Sequence, residues 1–153
     1  MRETLFNWLQ PRIEGAKCLD LFAGSGALAF EAASRGAARV LMVESNPATV
    51  RQLYSQITLF QGGSLVIQQG SALEYLQQLK EPQDVIFLDP PFHSDLLRQS
   101  LQLIDPPRHL RRGGRIYLEY PSRSEPELPS GLVFQRQKKA GEVGYGLAGF
   151  DQA

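Results

Sequence analysis

The chain has 153 residues, 42% of them hydrophobic and 21% charged, and its 16 basic residues balance 16 acidic ones. That length sustains one domain with a real core, and the composition excludes a disordered chain. The neutral balance advertises no nucleic-acid partner, the lone Cys18 excludes an internal disulfide, and no apolar run reaches the roughly 20 residues of a membrane span.

Near the start, "RETLFNWLQP" places Leu5, Trp8 and Leu9 at helical spacing, and Pro11 is expected to stop the pattern. "KCLDLFAGSG" reads as an apolar strand ending in glycines, with Cys18 a small buried side chain. A helix of small residues follows over Ala27–Ser34 and ends at Gly36. "RVLMVES" is a second buried strand. Asn46 then caps a helix that starts at Pro47 and runs to about Leu59, with Gly62-Gly63 as the turn beyond it. "SLVIQQ", "SALEYLQQLK" and "DVIFLDPP" read as strand, helix and strand. After His93 a helix carries Leu96, Leu97, Leu101 and Ile104 up to the Pro106-Pro107 break. Gly113-Gly114 introduces a fifth strand, "RIYLEY", and residues 121–131 read as a surface loop. "LVFQRQKKA" and "VGYGLAGF" flank Gly141-Glu142, the pattern of an antiparallel hairpin.

Strands that are apolar throughout and alternate with helices imply a parallel sheet covered on both faces. The terminal hairpin makes the sheet mixed, within an open three-layer α/β domain spanning residues 1–153. Ligands on such sheets bind beyond the carboxyl ends of the strands. The last residues of each strand are therefore the informative ones.

The first strand ends in Asp20, Leu21, Phe22, Ala23, Gly24, Ser25 and Gly26. With Ala29 as the third small residue, Gly24 and Gly26 satisfy G-x-G-x-x-G/A, a turn that brings backbone close to a ligand at a helix start. The pattern suits either a nicotinamide cofactor or S-adenosylmethionine, and a tight turn without ligand gives the same residues. The second strand ends at Glu44 and Ser45. A carboxylate there accepts from two ribose hydroxyls, or simply favours the start of the helix at Pro47. Ser71 and Ala72 follow the third strand. They can touch an adenine edge, although helix capping by Ser71 is the simpler reading. Asp20 separates the two cofactors, because a carboxylate before the glycines repels pyrophosphate but receives the ammonium of a methionine moiety.

The fourth strand ends in "DPPF", for which a nicotinamide enzyme has no evident use. An exocyclic amino group on a nucleobase attacks poorly, since its lone pair is delocalised into the ring. Two acceptors, one per N–H, favour a pyramidal nitrogen with the lone pair aimed outward. Asp89 offers a carboxylate and Pro90 a carbonyl, whose direction Pro90 and Pro91 fix by locking φ near −65°. Phe92 offers a face for stacking, worth ~1–3 kcal/mol. An extruded base then meets a methyl sulfonium in line.

The pieces "RETLFNWL", "CLDLFAGSGALAFEAASRGA", "VESNP", "DVIFLDPPF" and "KAGEVGYGL" cover nearly the whole chain. In this order they resemble the bacterial 16S rRNA guanine-N2 methyltransferases of the RsmD type. The resemblance implies a Rossmann-like class I methyltransferase fold with a seven-stranded mixed sheet, and S-adenosylmethionine as donor. It also implies methylation of one guanine amino group in 16S rRNA, within small-subunit particles. Asp20, Gly24, Gly26 and Glu44 would hold the cofactor, and Asp89, Pro90, Pro91 and Phe92 the guanine. Members of the family usually carry a further segment with an Arg-Pro-Thr stretch before the first helix, and Met1 stands where it would join. Many methyltransferases have Asp where this chain has Ser71.

Three other readings compete. An adenine-N6 methyltransferase would use "DPPF" equally and yield N6-methyladenine. A nicotinamide-dependent oxidoreductase would bind NAD(H), and a noncatalytic RNA-binding domain would keep only the fold. Two basic sets, the arginines between Arg98 and Arg115 and the cluster Arg136, Lys138 and Lys139, either track phosphates or are solvated faces. A cytoplasmic monomer with neither metal nor membrane partner is expected.

Overall fold

A computed structural model describes residues 1–60 and 64–151. Five helices and seven strands alternate in it: α1 (Arg2–Ile13), β1 (Lys17–Asp20), α2 (Ala27–Ser34), β2 (Arg39–Glu44), α3 (Pro47–Ile57), β3 (Leu65–Gln69), α4 (Ala72–Gln78), β4 (Gln83–Leu88), α5 (Leu96–Leu103), β5 (Leu110–Pro121), β6 (Leu132–Ala140) and β7 (Val143–Phe150). The expected Gly62-Gly63 turn lies outside the described residues.

The strands form one sheet in the order β3-β2-β1-β4-β5-β7-β6. The first five are parallel, while β7 runs antiparallel between β5 and β6. The order reverses between β1 and β4, which places the crevice for a ligand above their carboxyl ends. The seven-stranded mixed sheet with its terminal hairpin is the expected fold. Ala140 pairs with Val143 across Gly141-Glu142, and Gly141 takes φ +63°, the left-handed backbone that a two-residue hairpin demands.

Alternate residues of each central strand face opposite layers. Cys18, Met42, Phe87 and Tyr117 join the core beneath α1, α2 and α3. Leu19, Val43, Leu88 and Leu118 join the core beneath α4 and α5. Both faces are buried, so these strands read as continuous apolar runs. Cys18 is fully buried, and burial pushes its thiol up to about 12.

Two elements depart from expectation. Pro11 does not stop α1, which continues to Ile13. Pro11 sits on the exposed side, where water serves the carbonyl it leaves unbonded, while Leu5, Phe6, Leu9 and Ile13 are wholly buried. Burial of each such side chain contributes roughly 1.5–3 kcal/mol, enough to carry the helix past a proline in its last turn. Trp8 is only partly buried and packs on Tyr145, with ring centroids 5.7 Å apart. The second departure is β5, which begins before the glycine pair. Leu110 pairs with Gln83 and Arg115 with Val85, so the intervening residues bulge out at Gly113, where φ is +81°.

Candidate active site

After Asp20 the chain turns through residues 21–26 into α2. Ala23 N–H donates to the Val43 carbonyl at 3.0 Å and Gly26 N–H to Ala23 at 2.8 Å. Gly24 and Gly26 both take left-handed φ, +54° and +84°. Their roles differ. A Cβ on Gly24 would meet nothing nearer than 3.9 Å, so its backbone stays approachable. A Cβ on Gly26 would lie 2.6 Å from the Phe30 ring and 2.9 Å from Leu53. Gly26 is glycine in order to seat α2, and Gly24 is the one left accessible to a ligand.

Glu44 ends β2 and locks this turn. Its Oε1 accepts from Gly24 N–H at 2.9 Å, and its Oε2 accepts from Asn46 N–H at 3.0 Å. Each oxygen retains a lone pair for a further donor. Asn46 caps α3 by accepting from Ala48 and Thr49, with Pro47 in the first turn as expected. Ser71 accepts from Glu74 N–H at 3.3 Å, so it does cap α4.

Four carboxylates stand at or near the carboxyl ends of parallel strands, on the same face of the sheet. Asp20 follows Cys18 by two residues, Glu44 follows Met42, Asp89 follows Phe87, and Glu119 follows Tyr117. Leu88 is in register with Leu118, which sets Asp89 beside Glu119. Tyr117 Oη donates to Glu119 Oε2 at 2.6 Å. Burial, then the charge of Glu119 and a hydrogen bond with it, push the Asp89 carboxyl up to about 7. Asp20 is 1% exposed, and among the described residues it accepts only a long bond, 3.4 Å, from Phe22 N–H. Burial dominates its rise to about 7, with smaller contributions from the charges of Asp89 and Glu44. The Tyr117 hydroxyl is likewise held protonated by burial and by Glu119.

A cavity of about 670 Å³ joins most of the residues singled out in the sequence. Phe22 and Gly24 of the glycine turn, Glu44 and Ser45 after β2, and Ser71 and Ala72 at the start of α4 line one side. Asp89, Pro90, Pro91 and Phe92 line the other. Asp20, Ser25 and Gly26 lie outside this lining: Asp20 is buried, Ser25 is exposed, and Gly26 packs on Phe30.

Pro90, Pro91 and Phe92 also border a second cavity of about 740 Å³, between α5 and the loop after β5, which Glu119 helps to line. The Pro91 carbonyl accepts from Ser94 N–H at 3.2 Å and Ser94 Oγ at 2.7 Å. Among the described residues the Pro90 carbonyl accepts no hydrogen bond. Phe92 is 39% exposed, an uncommon state for a large aromatic side chain.

Sequence reasoning overlooked Glu119. Its signal was an acid near the end of the fifth strand, between the buried Leu118 and Tyr120, as Asp89 directly follows the fourth. The first basic set does not form one surface. Arg115 is buried and donates to the Gly113 and Gly114 carbonyls, Arg111 lies 3.6 Å from Asp84, and Arg98 pairs with Asp95. Arg136, Lys138 and Lys139 are exposed together on the edge strand β6. Among the described residues no three His, Cys, Asp or Glu side chains gather to hold a metal ion, and no helix is long and apolar enough to cross a membrane.

A family model described as "Conserved hypothetical protein 95" matches residues 1–148. The chain is 38% identical over 148 residues to the ribosomal RNA small subunit methyltransferase D of Escherichia coli, covering 96% of this chain and 75% of that protein. It is 39% identical over 155 residues to the Haemophilus influenzae protein of the same name, covering 96% and 78%. The solved structure of the Escherichia coli protein yhhF superposes with a TM-score of 0.92 at 37% identity, over 99% of this chain and 86% of that one. The chain belongs to this family, that of the ribosomal RNA small subunit methyltransferases D.

Proposed function

We propose that this chain, as a single methyltransferase domain, transfers a methyl group from S-adenosylmethionine to the exocyclic N2 of a guanine in 16S rRNA. One observation carries the reading: a single cavity has the Gly24 turn and Glu44 on one wall and residues 89–92 on the other. The names of the relatives support the rRNA substrate, and with it small-subunit particles as partner and the cytoplasm as location.

The residues fit the cofactor. Glu44 is held rigidly by two backbone amides and keeps lone pairs for ribose hydroxyls. Leu21, Val43 and Ala72 give the same cavity apolar walls for a purine. Asp20 is a buried carboxyl that no cation accompanies among the described residues, which suits an ammonium group received directly or through water. When bound, S-adenosylmethionine supplies an electrophilic methyl on a sulfonium. Asp89 and the Pro90 carbonyl accept the two amine hydrogens and so direct the nitrogen lone pair. Phe92 stacks on the base, contributing ~1–3 kcal/mol.

Thermal melting tests the cofactor. S-adenosylmethionine at ~100 times its dissociation constant stabilises the fold by about 2.7 kcal/mol. For a domain of this size the melting temperature should rise roughly 5–10 °C, while NAD moves it little. A shift with NAD and none with S-adenosylmethionine or its demethylated product overturns the reading.

The basic edge strand gives a second test. Reversing the charges of Arg136, Lys138 and Lys139 should weaken rRNA binding and flatten its salt dependence, with cofactor affinity unchanged. Unaltered RNA affinity at low and moderate salt makes them a solvated edge, where lysines discourage strand pairing between molecules.

A further inference from the structure

We propose that Glu119 is the residue that selects guanine, by accepting the N1–H of the target base while Asp89 and the Pro90 carbonyl hold its amine. The inference rests on the methyl-transfer reading above and names a determinant of its substrate. It begins from the register that sets Glu119 beside Asp89, one strand over and on the same face. Adjacent strands lie ≈ 4.8 Å apart, so two carboxyls at matching register offer acceptors side by side.

The Watson–Crick edge of guanine presents N1–H and the N2 amine as neighbouring donors. Adenine presents its amine next to N1, a bare acceptor. A pair of acid side chains therefore meets two donors in guanine, but a donor and a lone pair in adenine. Carboxylate against lone pair is repulsive, and the buried acceptor is left unmatched, which makes discrimination by hydrogen bonding steep.

The surroundings of Glu119 are built for this. Tyr117 Oη donates to one of its oxygens at 2.6 Å and so fixes the side chain, leaving the other oxygen available to accept. Tyr117 is itself 1% exposed and packed against Phe87, so the donor is rigid. Glu119 lines the cavity that Pro90, Pro91 and Phe92 also border, so a base stacked on Phe92 shares that cavity with its carboxylate. In the free protein the two carboxyls stand against each other, and the charge of Glu119 helps raise the Asp89 carboxyl. The guanine edge offers one donor to each side chain.

The experiment compares wild type, Glu119→Gln and Tyr117→Phe on unmodified small-subunit rRNA and on particles assembled from it. Product nucleosides are identified by mass spectrometry. At the position that wild type modifies, guanine is then replaced by 2-aminopurine, which keeps the amine but has no N1–H. Wild type should prefer guanine over 2-aminopurine by roughly 10–100-fold in kcat/KM, the span of a hydrogen bond to a charged group. Glu119→Gln should lose most of that preference and roughly 10–100-fold of its kcat/KM on guanine, with cofactor affinity unchanged. Tyr117→Phe, which frees Glu119 without touching the base, should shift the preference the same way by a few-fold and carries the test where Glu119→Gln fails to fold. An equal preference in wild type and both variants overturns the role of Glu119. N6-methyladenine without N2-methylguanine from wild type instead overturns the reading on which it rests.

Discussion

Asp89→Ala should lower single-turnover methyl transfer to small-subunit rRNA by something like 10²–10⁴-fold, the range for a positioned acceptor or acid–base group. The size follows from the nucleophile. An aromatic amine attacks only as its lone pair leaves the ring, and each acceptor on its hydrogens assists that change. Cofactor affinity should hold nearly constant, because the Gly24 turn, Glu44 and Ser71 line the opposite side of the cavity.

The pH profile sharpens the point. With its carboxyl pushed up to about 7, Asp89 is largely protonated in mild acid and donates where the amine needs an acceptor. Wild-type rates should therefore climb as pH rises through about 7. Asp89→Asn keeps an acceptor oxygen and loses the titration, so its profile should flatten at an intermediate rate. Activity of Asp89→Asn above that of Asp89→Ala assigns Asp89 to orienting the amine, and equally low activity assigns it to taking the proton. Wild-type turnover by Asp89→Ala would sink the mechanism. A matching collapse of cofactor binding would mean that the motif serves the cofactor instead.

The sequence made the parallel core legible because both faces of β1, β2 and β4 are buried, and apolar runs between turn residues identify such strands. The C-terminal hairpin was legible from its Gly-Glu turn. Asp20, Glu44 and Asp89 were legible because each ends a strand. Pro11 misled because propensity is local, whereas the burial of Ile13 depends on the sheet beneath it. Gly24 and Gly26 read alike in the motif, because a pattern cannot tell a glycine whose backbone stays open from one that makes room for Phe30 and Leu53. Arg115 looked like surface, yet the bulge at Gly113 folds carbonyls onto its guanidinium. Glu119 escaped for a different reason. Its meaning comes from the β4–β5 register, and no spacing within the sequence encodes which residue lies beside Asp89.

Asp20→Asn should stabilise the protein above neutral pH while weakening S-adenosylmethionine binding. Asp20 is 1% exposed, and burial, aided by the charges of Asp89 and Glu44, raises its carboxyl from 3.8 to about 7. A carboxyl with a raised folded-state pKa holds its proton more tightly in the native protein than in the unfolded chain. Between about 4 and 7 the native state binds more protons, so stability falls as pH rises through that window. The stabilisation is whole below the unfolded value and gone above the folded one. About three pKa units correspond to a ceiling of about 4 kcal/mol at 1.36 kcal/mol each. Asparagine has the same shape and no proton to lose. Relative to wild type, the variant should therefore gain roughly 2–4 kcal/mol by pH 8, or roughly 5–15 °C in melting temperature, and nothing below about pH 4. The same charge that strains the free protein suits a bound ammonium, so the cofactor-induced shift in melting temperature should be smaller in Asp20→Asn than in wild type. Melting curves of both proteins from pH 4 to pH 9, with and without S-adenosylmethionine, measure both effects. A gap between the two proteins that stays constant across that range rules out ionisation of Asp20 as its source, and an undiminished cofactor shift removes Asp20 from the cofactor site.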